Sequence, residues 1–268
     1  MHVHFLDPYR PRSSPVHRLD PRVKFVLALA FIFTTALTPI GAWPVYILLL
    51  SLVLALEILS GLGVGYVLRR AALAFPFVLA ALPLVFTSPG SQLFSITIFG
   101  WELTATAEGL VHFVSIALKS WISVQVAILL AASTPFPDLL TAMRAVKIPR
   151  LLVAIFGLMW RYLFVLADET LRLLRARAAR SGHAGLPGVK LGGSLAWRAR
   201  VAGGMAGNLF TRAFERSDRI YLAMLSRGYD GEVRAAPLPA LDTQDMFVLA
   251  GGLGLLAALF LLSLLVGG

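Results

Sequence analysis

Two arginines stand where a side chain could do chemistry on a partner. Arg180 sits in the run Ala179-Arg180-Ser181-Gly182, and Arg227 in Ser226-Arg227-Gly228. Each stands at the end of a helical pattern, with a glycine one or two residues beyond. A guanidinium at a helix end keeps its charge at every physiological pH and can grip a carboxylate through two parallel hydrogen bonds. Glycine just beyond permits the left-handed turn that closes a helix. A lone arginine there reads as a dipole-favoured cation resting on phospholipid. Two matched ends favour docking onto an acidic surface.

The other reactive side chains assemble into nothing catalytic. His2 and His4, with a terminal amine, have the donors for a divalent ion, but a mobile tail is the plainer reading. His17 and His183 read as surface residues. His112 and Lys119 lie seven residues apart, about two helical turns, so they share a face toward a bundle interior. Asp138, Asp168, Glu169 and Asp230 form no convincing acid–base pair. The stretch Gly188-Val-Lys-Leu-Gly-Gly-Ser194 is glycine-rich but lacks the spacing of a phosphate-binding loop. There is no cysteine, hence no disulfide or thiolate metal centre. We expect no cofactor, no metal site and no enzyme.

The elements that carry these residues are greasy. The chain has 268 residues, 58% hydrophobic and 14% charged, against about 25% charged in a soluble domain. Its mean hydropathy is +0.79. These values place it in a membrane. The net charge of +10 interleaves with the apolar runs, which favours anionic lipid and a protein partner over nucleic acid. The N-terminus is polar to about Arg22, and we expect no removable signal peptide.

Taken in order, Asp20-Pro21 is a helix start, a carboxylate cap with proline at the first position. Arg18, Arg22 and Lys24 flank the first apolar run and set the N-terminus in the cytoplasm. Five crossings are expected, over 23–38, 44–60, 71–87, 109–133 and 245–266. The third is kinked by Pro76 and Pro83, and 91–107 reads as an outside hairpin. The segment 168–234 holds 12 of the 24 lysines and arginines, so it should stay inside. On that ground 150–167, apolar but carrying Arg161, is expected to pack under the bundle without crossing. The fold class is therefore all-α: a polytopic membrane protein with about five spans and cytoplasmic amphipathic helices. Its parts are a tail and four-helix bundle (1–133), a cytoplasmic region (134–240) and a last span (241–268).

Two cytoplasmic helices are expected. One opens at Asp168-Glu169, with Arg172, Arg175, Arg177 and Arg180 in later turns, the order a helix dipole favours. The other covers about 208–227. Its apolar stripe, with Phe210 and Phe214, is expected to pack on the chain's own helices. Asp168 is expected to reach Arg172, and Glu215 to reach Arg219, at i,i+4.

These two helix ends, behind the lead-in Ser14-Pro-Val-His-Arg-Leu-Asp-Pro-Arg-Val-Lys24, resemble the T component of energy-coupling-factor (ECF) transporters, the EcfT/CbiQ family, in its cobalt and nickel branch. The resemblance covers essentially the whole chain. It departs from the family's Ala-Arg-Gly triplets at Ser181 and Ser226, while Arg180 and Arg227 stand. It implies a scaffold in the bacterial inner membrane between two ATPase subunits and a substrate-binding S component, with a small accessory membrane subunit as a further partner. Ala179, Arg180, Ser181, Ser226, Arg227 and Gly228 would then be the ATPase-coupling residues, and ion binding would belong to another subunit. The alternatives are a secondary carrier, for which Lys119 and His112 are the intramembrane candidates, and a membrane enzyme with a basic interfacial site.

Overall fold

A computed structural model describes residues 8–98, 101–180, 194–230 and 240–267. His2, His4, Ser181, His183 and the glycine-rich stretch before Ser194 lie outside the described residues. The described chain divides into two compact units, 8–146 with 240–267, and 147–180 with 194–230.

The first unit is a helical bundle. A short helix α1 (Pro15–Arg18) leads into α2 (Pro21–Leu37). Asp20 caps α2 by accepting the Arg22 backbone N–H at 2.8 Å, and Pro21 fills a first-turn position that needs no donor. Trp43-Pro44 starts α3 (Trp43–Ser60), and Gly61 ends it at φ +67°. These are the first two expected crossings. The helix α4 (Val64–Ala71) carries Arg69 and Arg70 in its last turn.

The expected third crossing, 71–87, is not one helix. It breaks into a 3-10 turn (Ala72–Ala74), α5 (Phe75–Leu79) and α6 (Leu84–Thr87). Pro76 and Pro83 each lack an N–H, and the chain between them satisfies its donors through i−3 carbonyls: Ala81 to Val78 and Leu82 to Leu79, both at 3.0 Å. The hairpin follows as expected, with β1 (Gln92–Ile98) antiparallel to β2 (Trp101–Thr106) and Ile98 opposite Trp101.

Thr106 caps α7 (Ala107–Ser133), 27 residues and about 40 Å long. α8 (Phe136–Ala145) packs on α2, and so does α11 (Thr243–Gly267). A Cβ on Gly252 would come within 2.6 Å of a Leu27 methyl, so glycine permits the α2–α11 approach. Phe31, Leu49, Val53, Ile122, Val126 and Leu256 fill the core between α2, α3, α7 and α11. By length and composition α3, α7, α9 (Arg150–Arg180) and α11 could each cross a bilayer. The 17 residues of α2 reach about 26 Å, just short of a hydrocarbon core of about 30 Å.

Lys24 and Lys119 join α2 to α7 at both ends. Lys24, near the start of α2, donates to the carbonyl of Ser133, the last residue of α7, at 3.1 Å. Lys119 in α7 donates to the carbonyls of Ala36 and Thr38 at the end of α2, the former at 3.2 Å. Helix-end carbonyls have no intrahelical partner and no water in an apolar bundle, and each ammonium supplies one.

The second unit contains α9 and α10 (Leu195–Leu225), each 31 residues. Here three expectations are corrected. The segment 150–167 is no separate element but the first part of α9, so Asp168 and Glu169 lie mid-helix and cannot act on its N-terminal dipole. Length and composition would let α9 cross a bilayer, so keeping 150–167 out of it rests on the charge argument alone. The second helix begins at Leu195, capped by the Ser194 hydroxyl, well before residue 208. Among the described residues neither Asp168–Arg172 nor Glu215–Arg219 forms an ion pair; Glu169 instead faces Arg212 at 2.7 Å and Arg172 at 3.7 Å.

Lys119→Met keeps the bulk of the side chain and removes its charge. It should destabilise the detergent-purified chain by about 1–3 kcal/mol, the cost of leaving the acceptor of buried Thr38 without its donor. Thermal melting monitored by near-ultraviolet circular dichroism reads this, and an unchanged midpoint would show the lysine is dispensable.

Candidate partner-docking site and the polar anchors of the bundle

Arg180 is the last residue of α9 and is exposed, as is Ala179 beside it. Arg227 lies in the turn that closes α10 and is also exposed. The α10 end is built in detail. The Ser226 hydroxyl donates to the Ala223 carbonyl at 3.0 Å. The Gly228 N–H bonds the Leu225 carbonyl at 2.9 Å, and the Tyr229 N–H reaches back to Met224 at 3.1 Å. Those two bonds are the Schellman closure, which requires a left-handed residue, and Gly228 has φ +79°. The order arginine-then-glycine thus has a local cause: glycine turns the chain away and leaves Arg227 at the tip.

The two helices touch through the Glu169–Arg212 pair. Arg180 lies 11 residues beyond Glu169 and Arg227 lies 15 beyond Arg212, so each end projects about 16–22 Å past the contact. Neither Arg180 nor Arg227 makes an ion pair among the described residues. The apolar stripe of α10 corrects another expectation. No residue of α10 is buried, and Phe210 and Phe214 are 73% and 62% exposed. An exposed aromatic row of this kind marks a surface for a partner or a membrane.

The lead-in motif has a different task. Asp20 accepts from Arg22 Nε at 3.0 Å and Nη2 at 2.8 Å, besides the backbone cap. Its own backbone N–H reaches the Asp245 carboxylate in the first turn of α11 at 3.4 Å. Arg22 holds the Asp20 carboxyl below the usual carboxylate range. His17 bridges the Ser14 hydroxyl at 2.7 Å and the Arg10 carbonyl at 3.1 Å. Partial burial, opposed by the Arg10 carbonyl and reinforced by Lys24 and Arg12, holds its pKa below 6.5.

Of the intramembrane candidates, Lys119 faces the end of α2, whereas His112 joins no hydrogen bond or ion pair with it. The ionisable residue missed in the sequence is Glu57. It is fully buried in α3, and Gln125 of α7 donates to its Oε1 at 3.0 Å while accepting from Trp121 Nε1 at 2.6 Å. Glu57 Oε2 has no partner among the described residues. The signal was present: an acid one turn before the end of an apolar run is rare enough to single out. Among the described residues no group of three histidines or carboxylates is placed to hold a metal ion.

Replacing Gly228 by alanine should cost about 1–2 kcal/mol locally, the penalty for a Cβ in the left-handed region. Faster amide exchange at Tyr229 reads that fraying, and unaltered exchange would disprove it. For His17 the folded pKa is depressed, so its contribution to stability is present above pH 6.5 and is lost as pH falls below it. The melting midpoint should drop on going from pH 7.5 to 5.5, and His17→Gln should flatten that drop.

Comparison with known proteins agrees with this architecture. The family model described as "CbiQ: Cobalt transport protein" matches residues 12–237. The energy-coupling factor transporter transmembrane protein EcfT of Lactococcus lactis is 29% identical, over 83% of this chain and 83% of its own. EcfT of Lacticaseibacillus paracasei is 27% identical over 95% and 96%. The cobalt transport protein CbiQ of Salmonella typhimurium is 28% identical over 79% of this chain and 91% of its own. With the match running from the lead-in motif through both arginine-tipped helices, the chain belongs to the CbiQ cobalt transport protein family and is a membrane component of a transporter.

Proposed function

We propose that this chain is the energy-coupling (T) subunit of an ECF-type importer for cobalt or nickel ions. Two ATPase subunits dock on the cytoplasmic helix ends, one at Ala179-Arg180-Ser181 and one at Ser226-Arg227-Gly228. A separate S component, with or without a small accessory membrane subunit, carries the ion, and this chain itself is not catalytic. The reading sets the N-terminus and α8, α9 and α10 on the cytoplasmic side of the bacterial inner membrane.

The observation that supports it most is the pair of long helices meeting at Glu169–Arg212, each ending in an exposed arginine. Such arms suit transmission of a push. Closure of two ATPases would move the tips, and the ion pair would make one helix follow the other. Guanidinium groups suit the tips because they stay charged and hold carboxylates in two-point contact. The exposed apolar row on α10 suits the S component, whose apolar surface would cover Phe210 and Phe214. A secondary carrier finds less support, since of its two candidates Lys119 is engaged on helix-end carbonyls and His112 forms no hydrogen bond or ion pair with it.

Arg180→Glu with Arg227→Glu should abolish co-purification of the ATPases with the tagged chain while leaving its melting midpoint unchanged. Undiminished association would defeat the assignment. A reporter fused near Lys190 should signal from the cytoplasm, and an exterior signal would defeat the topology.

A further inference from the structure

The bundle unit has a partly open, apolar cavity that the docking ends do not line. Its volume is about 340 Å³, within the range of about 300–1,000 Å³ typical of small-molecule sites. Leu27 and Phe31 of α2, Leu52 of α3, Val126 of α7 and Gly251 and Leu255 of α11 line it. Lys24 and Ser133 supply its polar side chains, both at one end, where α2 begins and α7 finishes. Water does not fill such a space, because each molecule needs two to four polar partners. Left empty, it would deprive its lining of dispersion contacts. A hydrocarbon chain from the surrounding bilayer meets neither objection.

The polar end is cationic beyond what its own acids balance. Lys24 places N–H groups on the carbonyls of Ser133 and His17, and an ammonium has a third. Next to it, the Arg10 backbone N–H bonds the Ala132 carbonyl at 3.0 Å. The Arg10 guanidinium lies 3.9 Å from the centroid of the Tyr66 ring, and the Arg70 guanidinium lies 4.8 Å from the same centroid. Among the described residues neither arginine pairs with an acid. The carboxylates whose charge reaches Lys24 are Asp20, held by Arg22, and Asp138. Tyr66 packs on Leu62, Leu129 and Ala132, and Lys24 bonds the next residue of α7, Ser133. Two guanidiniums gathered on that ring attract an anion, and the cavity that begins at Lys24 accepts a tail.

We propose that this is a site for one anionic phospholipid. Its phosphate lies against Lys24, Arg10 and Arg70, and one acyl chain fills the cavity between α2, α7 and α11. The inference needs only that the bundle is in a membrane and does not depend on ATPase coupling.

Native mass spectrometry of the full chain in mild detergent tests it, with phosphatidylglycerol and phosphatidylcholine as probes. One phosphatidylglycerol should remain bound under activation that strips phosphatidylcholine. Arg10→Gln and Arg70→Gln should each weaken phosphatidylglycerol about fivefold, the contribution of one cation at a lipid surface, and the Arg10 backbone bond to Ala132 is untouched. Gly251→Leu should remove the retained lipid by filling the cavity. A Cβ there meets nothing within 4 Å, and the change raises helix propensity, so the fold is kept. Equal retention of the two lipids, or full phosphatidylglycerol binding by Gly251→Leu with an intact melting curve, would overturn the proposal.

Discussion

The bundle depends on two ammonium groups placed against helix-end carbonyls. α2 and α7 run antiparallel, and each gives the other a lysine: Lys24 for Ser133, Lys119 for Ala36 and Thr38. In water such carbonyls would be hydrated. In an apolar bundle they need a protein donor, or the last turn of the helix is lost. A cation suits this place better than a neutral donor, because the negative end of the helix dipole lies there as well. The same contacts fix register, since sliding α2 along α7 by one turn would break both at once.

Around Lys24 the lead-in motif binds four segments together. Its ammonium also reaches the His17 carbonyl of the α1 helix. Asp20 caps α2 and takes the Arg22 side chain. Asp245 meets the Asp20 backbone and so ties α11, more than 200 residues away in sequence, to the same point. The motif is therefore structural at its base, and the lipid site proposed above borrows charge that the fold had already gathered there.

The second unit follows a contrary rule. α10 buries none of its residues, and α9 buries only Val153 among those described. Their internal contact is anchored by one exposed ion pair, of a kind worth roughly 0–1 kcal/mol. Helices this open have their apolar stripe available and their ends able to shift at small cost. Both properties fit a part whose partners complete it, whereas the bundle has a core of its own side chains.

Local signals made much of this legible from residues alone. Asp20-Pro21 and Gly61 mark helix ends because caps act within one turn, and the alternation from Phe94 to Ile98 marks a strand because its period is two. Apolar runs located α2, α3, α7 and α11, since their hydrophobicity is a property of each segment by itself. Prolines 76 and 83 announced a disturbance, but not that the stretch would divide into separate short helices. Tertiary structure alone decided what depends on residues distant in sequence. It paired Lys119 with the end of α2, Glu57 with Gln125 and Glu169 with Arg212. It carried α9 unbroken through Asp168 and left Phe210 and Phe214 uncovered. Periodicity reports that a helix has an apolar face, but which surface meets that face is set by the packing of the whole chain.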